Sequence, residues 1–211
     1  VPQCAAQLAA GICQVTASRY TRPSELPPGG VLVVGSGASG CQIVEDLLLD
    51  GRNVYYALRG HRRQPRRYRG RDSGKWGEDT GATNRTTDII PPGFRSPLVT
   101  GYRGGKTVDL YELAQRGATL LGSLQDIRDN RIFLATDLNA NLEAGDETFR
   151  QWLSTIDAHI VAEGIDAPPG GEFDDILAAR RPRLPEIASL DLRDAKINTV
   201  IWALGYGYDF R

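Results

Sequence analysis

The spacing of apolar positions changes along this chain, and each change marks an element. Val31-Leu-Val-Val34 is a short unbroken apolar run rich in β-branched residues, the pattern of a strand buried on both faces. The stretch from Ser39 through Cys41-Gln-Ile-Val-Glu-Asp-Leu47 then takes up an amphipathic helical spacing, and Asn53–Leu58 returns to a strand pattern. Val108–Arg116 has helical spacing, with Gly117 placed to end the helix. Ala118–Gly122 and Arg131–Ala135 read as two strands joined through Asp129-Asn130 in a hairpin or meander. Residues 137–164 are helical, as one long helix or two, with Leu138, Leu142, Phe149, Leu153, Ile156, Ile160 and Val161 on the apolar face. Lys196–Ala203 is a buried strand ending in Leu204-Gly205-Tyr206. This order predicts a three-layer α/β fold whose parallel sheet contains strands near 31–35, 53–58 and 197–203, with the helix from Ser39 on one face.

Between the first strand and helix stands Gly35-Ser-Gly37-Ala-Ser-Gly40, a Gly-x-Gly-x-x-Gly turn in the context that dinucleotide binding requires. Gly35 can make the tight turn, Gly37 can let backbone approach a pyrophosphate, and Gly40 can let helix and strand pack closely. The helix N-terminus adds free N–H groups and partial positive charge. Gly35, Ser36, Gly37, Ala38, Ser39 and Gly40 are therefore expected to line a pyrophosphate site, in a Rossmann-like domain. Arg59 ends the second strand, about where an Asp or Glu would hold the ribose 2′-hydroxyl of NAD. A guanidinium cannot accept that hydrogen bond but suits a phosphate dianion, so Arg59, followed by Arg62, favours NADP. Arg63 is read as a solvated loop charge.

Block 59–107 is loop-rich and poor in apolar positions, with a short helix expected around Asp72–Trp76 and room for a lid. Seven arginines lie between Arg59 and Arg71, with Tyr68 among them. Such a cluster could bind nucleic acid, but a net charge of −1 over 211 residues favours a solvated loop edging an anionic-cofactor cleft. His159 reads as a helix residue rather than a metal ligand, since no cluster of ligands surrounds it. Three cysteines without C-x-x-C spacing argue against a zinc site or disulfide framework and fit a reducing, cytoplasmic setting. No apolar run is long enough to span a membrane. Methionine is absent throughout, position 1 included; the chain reads as an internal piece of a longer protein, or as a sequence whose methionine positions are missing, so local motifs guide better than long-range counts.

Three pieces, in order, resemble the class B flavin-dependent monooxygenases, the flavin-containing and Baeyer–Villiger type: Tyr20-x-x-Pro23, the Val31–Gly40 turn, and Val200-Ile-Trp-Ala203-Leu204-Gly205-Tyr206 followed by Asp209-Phe210. In that family the last piece returns the chain from an NADPH domain to a FAD domain, and the resemblance adds Ala203 and Gly205 to the cofactor-binding residues. It implies residues 1–30 as a flank from a FAD-type domain, 31–203 as the NADPH-binding domain with an inserted loop and helical region, and 204–211 as the return flank. The implied chemistry is hydride transfer from NADPH to FAD, then oxygen activation by reduced flavin on a small-molecule substrate, with no nucleic acid or membrane partner and a possible homo-oligomer. The family's linker signature is broken here, with Thr16 at its His position and Ile12 at its Gly position, and Leu204 replaces the usual Thr. The family's FAD fingerprint is absent from this chain. Tyr68, Asp72 and Lys75 have suitable chemistry, but no residue is assigned as catalytic. A disulfide-reductase-like flavoprotein and a non-catalytic nucleotide-binding or redox-sensing module are the alternatives.

Overall fold

The structure, a computed structural model, describes residues 1–84, 97–101, 104–171, 173 and 181–205. Tyr206, Asp209 and Phe210 of the expected return flank, and parts of the loop-rich block, lie outside the described residues. In chain order the elements begin with β1 (Cys13–Thr16), β2 (Gly30–Val34), α1 (Ala38–Leu49) and β3 (Val54–Ala57). The short pieces β4 (Arg62–Arg63), β5 (Arg67–Tyr68), β6 (Arg71–Asp72), α2 (Ser73–Asp79), β7 (Pro97–Thr100) and β8 (Lys106–Thr107) follow. The rest comprises α3 (Leu110–Gln115), β9 (Thr119–Leu121), β10 (Leu124–Arg128), β11 (Arg131–Leu134), α4 (Leu138–Glu163), β12 (Ser189–Asp191) and β13 (Ile197–Trp202). These form two compact units: Val1–His61 with Asp109–Leu142 and Leu184–Arg211, and Arg62–Val108 with Glu143–Arg183.

The first unit is a Rossmann-like α/β fold. Its five-stranded sheet runs β1-β13-β2-β3-β9, and every neighbouring pair is parallel. All five residues of β2 are buried, as a strand with a neighbour on each side and a covered layer on each face should be. Tyr56 points toward α1, where its hydroxyl meets Cys41 Sγ at 3.2 Å. Leu32, Val34, Ala57, Val200 and Trp202 point to the other face and pack with Ile127, Ile132, Leu134 and Leu192. That second face is covered by an antiparallel sheet, β10-β11-β12, together with Ala5 and Leu8.

One local pairing differs from the expectation that Ala118–Gly122 and Arg131–Ala135 form the hairpin. The hairpin partner of β11 is Leu124–Arg128, whereas Thr119–Leu121 joins the parallel sheet beside β3. The two-residue turn itself is as read: Asp129 and Asn130 have φ of +49° and +63°, the left-handed pair that matches hairpin twist. The stretch read as a connecting flank also contributes β1, in register with β13 from Cys13↔Thr199 to Thr16↔Trp202. Gln14 anchors it, its Oε1 accepting from Trp202 Nε1 at 3.0 Å and its Nε2 donating to Ala5 O at 3.2 Å.

The second unit has its own apolar cluster of Tyr68, Trp76, Phe149, Trp152, Leu153, Ile156 and Ile160. α4 is one 26-residue helix. Trp152 belongs to its buried stripe, while Val161 is 81% exposed: it follows Ile160 by one residue, about 100° round the helix and off the stripe. The arginine-rich segment is not a solvated loop. Arg63, Arg66, Arg69 and Arg71 pair with Asp146, Asp72, Asp157 and Asp79 respectively. Arg63, Arg69 and Arg71 also stack on Phe149, Tyr68 and Trp76, as guanidinium planes favour. Arg63, read as solvated, is buried. His159 stands edge-on to Trp76 at 6.4 Å.

Leu32 is fully buried at the centre of the parallel sheet. Leu32→Ala should lower unfolding free energy by about 2–5 kcal/mol through lost burial and residual cavity. Urea denaturation checks this, and a loss under ~1 kcal/mol would contradict a close-packed sheet centre.

Candidate nucleotide site

The site begins where three backbones meet at the carboxyl ends of β2 and β13. Gly35 has φ +122°, a conformation L side chains rarely adopt. A Cβ there would also collide with the Ala203 carbonyl, and a Cβ on Gly40 would collide with the Gly35 carbonyl. Ala203 N donates to Val34 O at 2.8 Å, holding the end of β13 against this turn. Gly37 differs from both: it is exposed, its φ is −85°, and a Cβ would meet nothing within 4 Å. Two of the glycines are thus required by protein contacts, and the middle one faces open space.

Gly37 is also the N-cap of α1, and no side chain caps the helix. The first amides of Ala38, Ser39 and Gly40 are left without a side-chain acceptor, while Cys41 N donates to Gly37 O at 3.1 Å. An uncapped N-terminus beside a glycine with an open α-carbon fits a pyrophosphate, whose oxygens would take the amide protons.

Behind the turn, the Cys41 thiol is pushed up to about 12 by burial, against the lowering effect of its contact with Tyr56. Burial and Cys41 raise the Tyr56 phenol well above its ordinary value. Both groups stay neutral and pack as structure. On α1, Tyr20 donates to Asp46 Oδ2 at 2.6 Å; burial and this bond raise the Tyr20 phenol. The Tyr20-x-x-Pro23 piece is thereby tied to the helix that carries the site.

Arg59 lies just beyond β3. It is exposed, and its guanidinium has no hydrogen-bond or ion-pair partner among the described residues. The backbone beneath it is held. Arg59 N donates to Ser36 Oγ at 3.3 Å, and Ser36 Oγ donates to Gly60 O at 3.3 Å. Leu58 N donates to Leu121 O at 2.9 Å. Nearby, Ser123 donates to Asp137 through its backbone N at 2.8 Å and its hydroxyl at 2.6 Å. Burial alone would raise the Asp137 carboxyl, but these bonds outweigh it and hold the group below the ordinary carboxylate range. Among the described residues nothing at this position offers a carboxylate to a ribose 2′-hydroxyl, and the Arg59 guanidinium fits a 2′-phosphate.

The structure brings Gly35, Ser36, Gly37, Ala38, Ser39, Gly40, Arg59 and Ala203 together in the first unit. Gly205 follows two residues beyond Ala203, with φ +89°, and a Cβ there would meet none of the described residues within 4 Å. Arg62 belongs to the second unit, its guanidinium 5.9 Å from the Trp152 ring centroid. Sequence reasoning missed the clasp from Ser36 to residues 59–60; the short polar residue after the first glycine was its one signal. Among the described residues there is one strand–glycine turn–helix unit, with an arginine at its ribose position. These residues do not fit FAD. They also hold no cluster of potential metal ligands, and no helix long and apolar enough to cross a membrane.

The two kinds of glycine separate by mutation. Gly35→Ala should destabilise the first unit, with a lowered melting temperature and incomplete folding, because strain and collision arise within the protein. Gly37→Val should fold with near-native stability and lose NADPH affinity by at least tenfold, because the added atoms occupy ligand space. A Gly37→Val protein that binds NADPH normally would exclude the turn as the pyrophosphate site.

No family model matches the chain. A 62-residue stretch is 47% identical to a Geobacillus kaustophilus (strain HTA426) protein named as an uncharacterized CzcO-like oxidoreductase. The match covers 29% of this chain and 17% of that protein's length.

Proposed function

We propose that this chain supplies the NADPH-binding part of an NADPH-dependent flavoprotein oxidoreductase. The pyrophosphate lies over the N-terminus of α1 and the adenosine 2′-phosphate at Arg59. The observation that carries this reading is the Arg59 guanidinium, without a partner among the described residues and mounted on a hydrogen-bonded backbone one strand over from the glycine turn. An exposed guanidinium that no carboxylate holds is available to an anion, and its planar fork suits a phosphate. The relative named as an oxidoreductase supports the redox half of the proposal. Monooxygenase chemistry is the finer form of the proposal and rests on the motif order from Tyr20 to Phe210 in the sequence. NADPH supplies a hydride when bound; this chain's residues bind and orient the nucleotide, and FAD would be held by residues other than those described here.

Cofactor choice tests the reading. A charge-assisted bidentate contact to the 2′-phosphate is worth about 1.5–3 kcal/mol, roughly tenfold to hundredfold in affinity. Arg59→Ala should weaken NADPH binding by that factor and leave NADH binding within about twofold, as measured by calorimetric titration of both nucleotides. Equal losses for the two nucleotides would assign Arg59 to the fold or the pyrophosphate and remove the NADP assignment.

A further inference from the structure

We infer that Ser36 is a positioning residue for nucleotide selectivity: its hydroxyl clasps residues 59–60 and so sets the place of the Arg59 guanidinium. The inference rests on the reading that Arg59 meets the 2′-phosphate, and it gives Ser36 a different task from the pyrophosphate contact that the sequence predicts for it and its neighbours. A serine hydroxyl has one proton to donate and lone pairs to accept. Here the proton goes to Gly60 O and a lone pair takes Arg59 N–H, both at 3.3 Å. The residue is 8% exposed, so its oxygen faces protein rather than solvent. With donor and acceptor both engaged across the turn, Ser36 has no proton left for a phosphate.

The surrounding contacts explain why this bond is the adjustable one. Leu58 N is fixed to β9 through Leu121 O, and Leu58 O has Asn141 Nδ2 at 3.5 Å. Ser123 Oγ also lies 3.3 Å from Leu58 O, but its single proton goes to the nearer Asp137 carboxylate. Arg59 O faces His61 Nδ1 at 3.3 Å. The backbone is therefore held by the sheet up to residue 58. Beyond it, among the described residues, the tie from residues 59–60 to the glycine turn is Ser36. The same side chain that follows the first glycine of the pyrophosphate turn thus couples that turn to the arm carrying the phosphate-reading arginine. Removing the hydroxyl loosens the arm while leaving the amides of α1 and the open α-carbon of Gly37 as they are.

The test uses the full chain with Ser36→Ala and Ser36→Thr, read by amide hydrogen exchange without nucleotide and by affinity for NADPH and NADH. Ser36→Ala should speed exchange at the Arg59 amide, weaken NADPH by about threefold to tenfold, and change NADH by less than about twofold. Ser36→Thr keeps a hydroxyl and should restore both the exchange protection and most of the NADPH preference. Equal losses for both nucleotides, or unchanged exchange at Arg59, would overturn the clasp. Faster exchange in a protein whose wild type binds NADPH and NADH equally would instead overturn the Arg59 reading, and the selectivity role with it. If Ser36→Ala does not fold, the wild-type Arg59 amide decides: exchange there as fast as in an unstructured peptide overturns the clasp.

Discussion

The structure depends on one close approach of backbone to backbone. The Gly35 carbonyl packs where a Cβ of residue 40 would stand, and the Gly35 α-carbon packs against the Ala203 carbonyl. Because neither glycine has a side chain, β2 can turn directly into α1 while β13 ends against the same turn. That contact brings a helix N-terminus to the carboxyl end of a central parallel strand, the place where open α/β sheets bind ligands. A Cβ at either position would push the strand, helix or return strand away and take the uncapped amides out of line.

The layers around this point follow from burial. β2 lies between β13 and β3 with all its residues inside. One face of the sheet meets α1, the other the antiparallel β10-β11-β12 sheet through Ile127, Ile132 and Leu134. Fully burying each such side chain contributes about 1.5–3 kcal/mol, so the sheet is stabilised by apolar packing while polar contacts gather at its carboxyl end. There Ser36, Ser123, Asp137 and Asn141 hold the backbone that leads to Arg59. Stability and binding are thereby separated along the strands: apolar in the middle, hydrogen-bonded at the tip.

The parts legible in the sequence were those fixed by local pattern. Val31–Val34, the glycine order and the strand ending at Trp202 need no knowledge of distant partners, because period and turn chemistry carry them. What stayed hidden depends on long-range pairing. Cys13–Thr16 is too short and mixed to declare itself a strand until β13, more than 180 residues on, lies beside it. Thr119–Leu121 and Leu124–Arg128 are adjacent in sequence but enter different sheets, a choice made by β3 and β11 rather than by either segment. The arginines of the second unit looked like free charges because two of their partners, Asp146 and Asp157, lie more than 80 residues away. At the site, the glycines and Arg59 were readable, but the Ser36 clasp was not, since a serine in a glycine turn has many uses.

The central claim is that one nucleotide spans the α1 N-terminus and the Arg59 arm. Amide chemical-shift mapping of the labelled chain during titration with NADPH and then NADH tests it most directly. Both nucleotides should shift the amides of Gly37, Ala38, Ser39 and Gly40, and NADPH alone should strongly shift those of Arg59 and Gly60. Shifts that leave the glycine turn unmoved, or that are the same at Arg59 for both nucleotides, would contradict it.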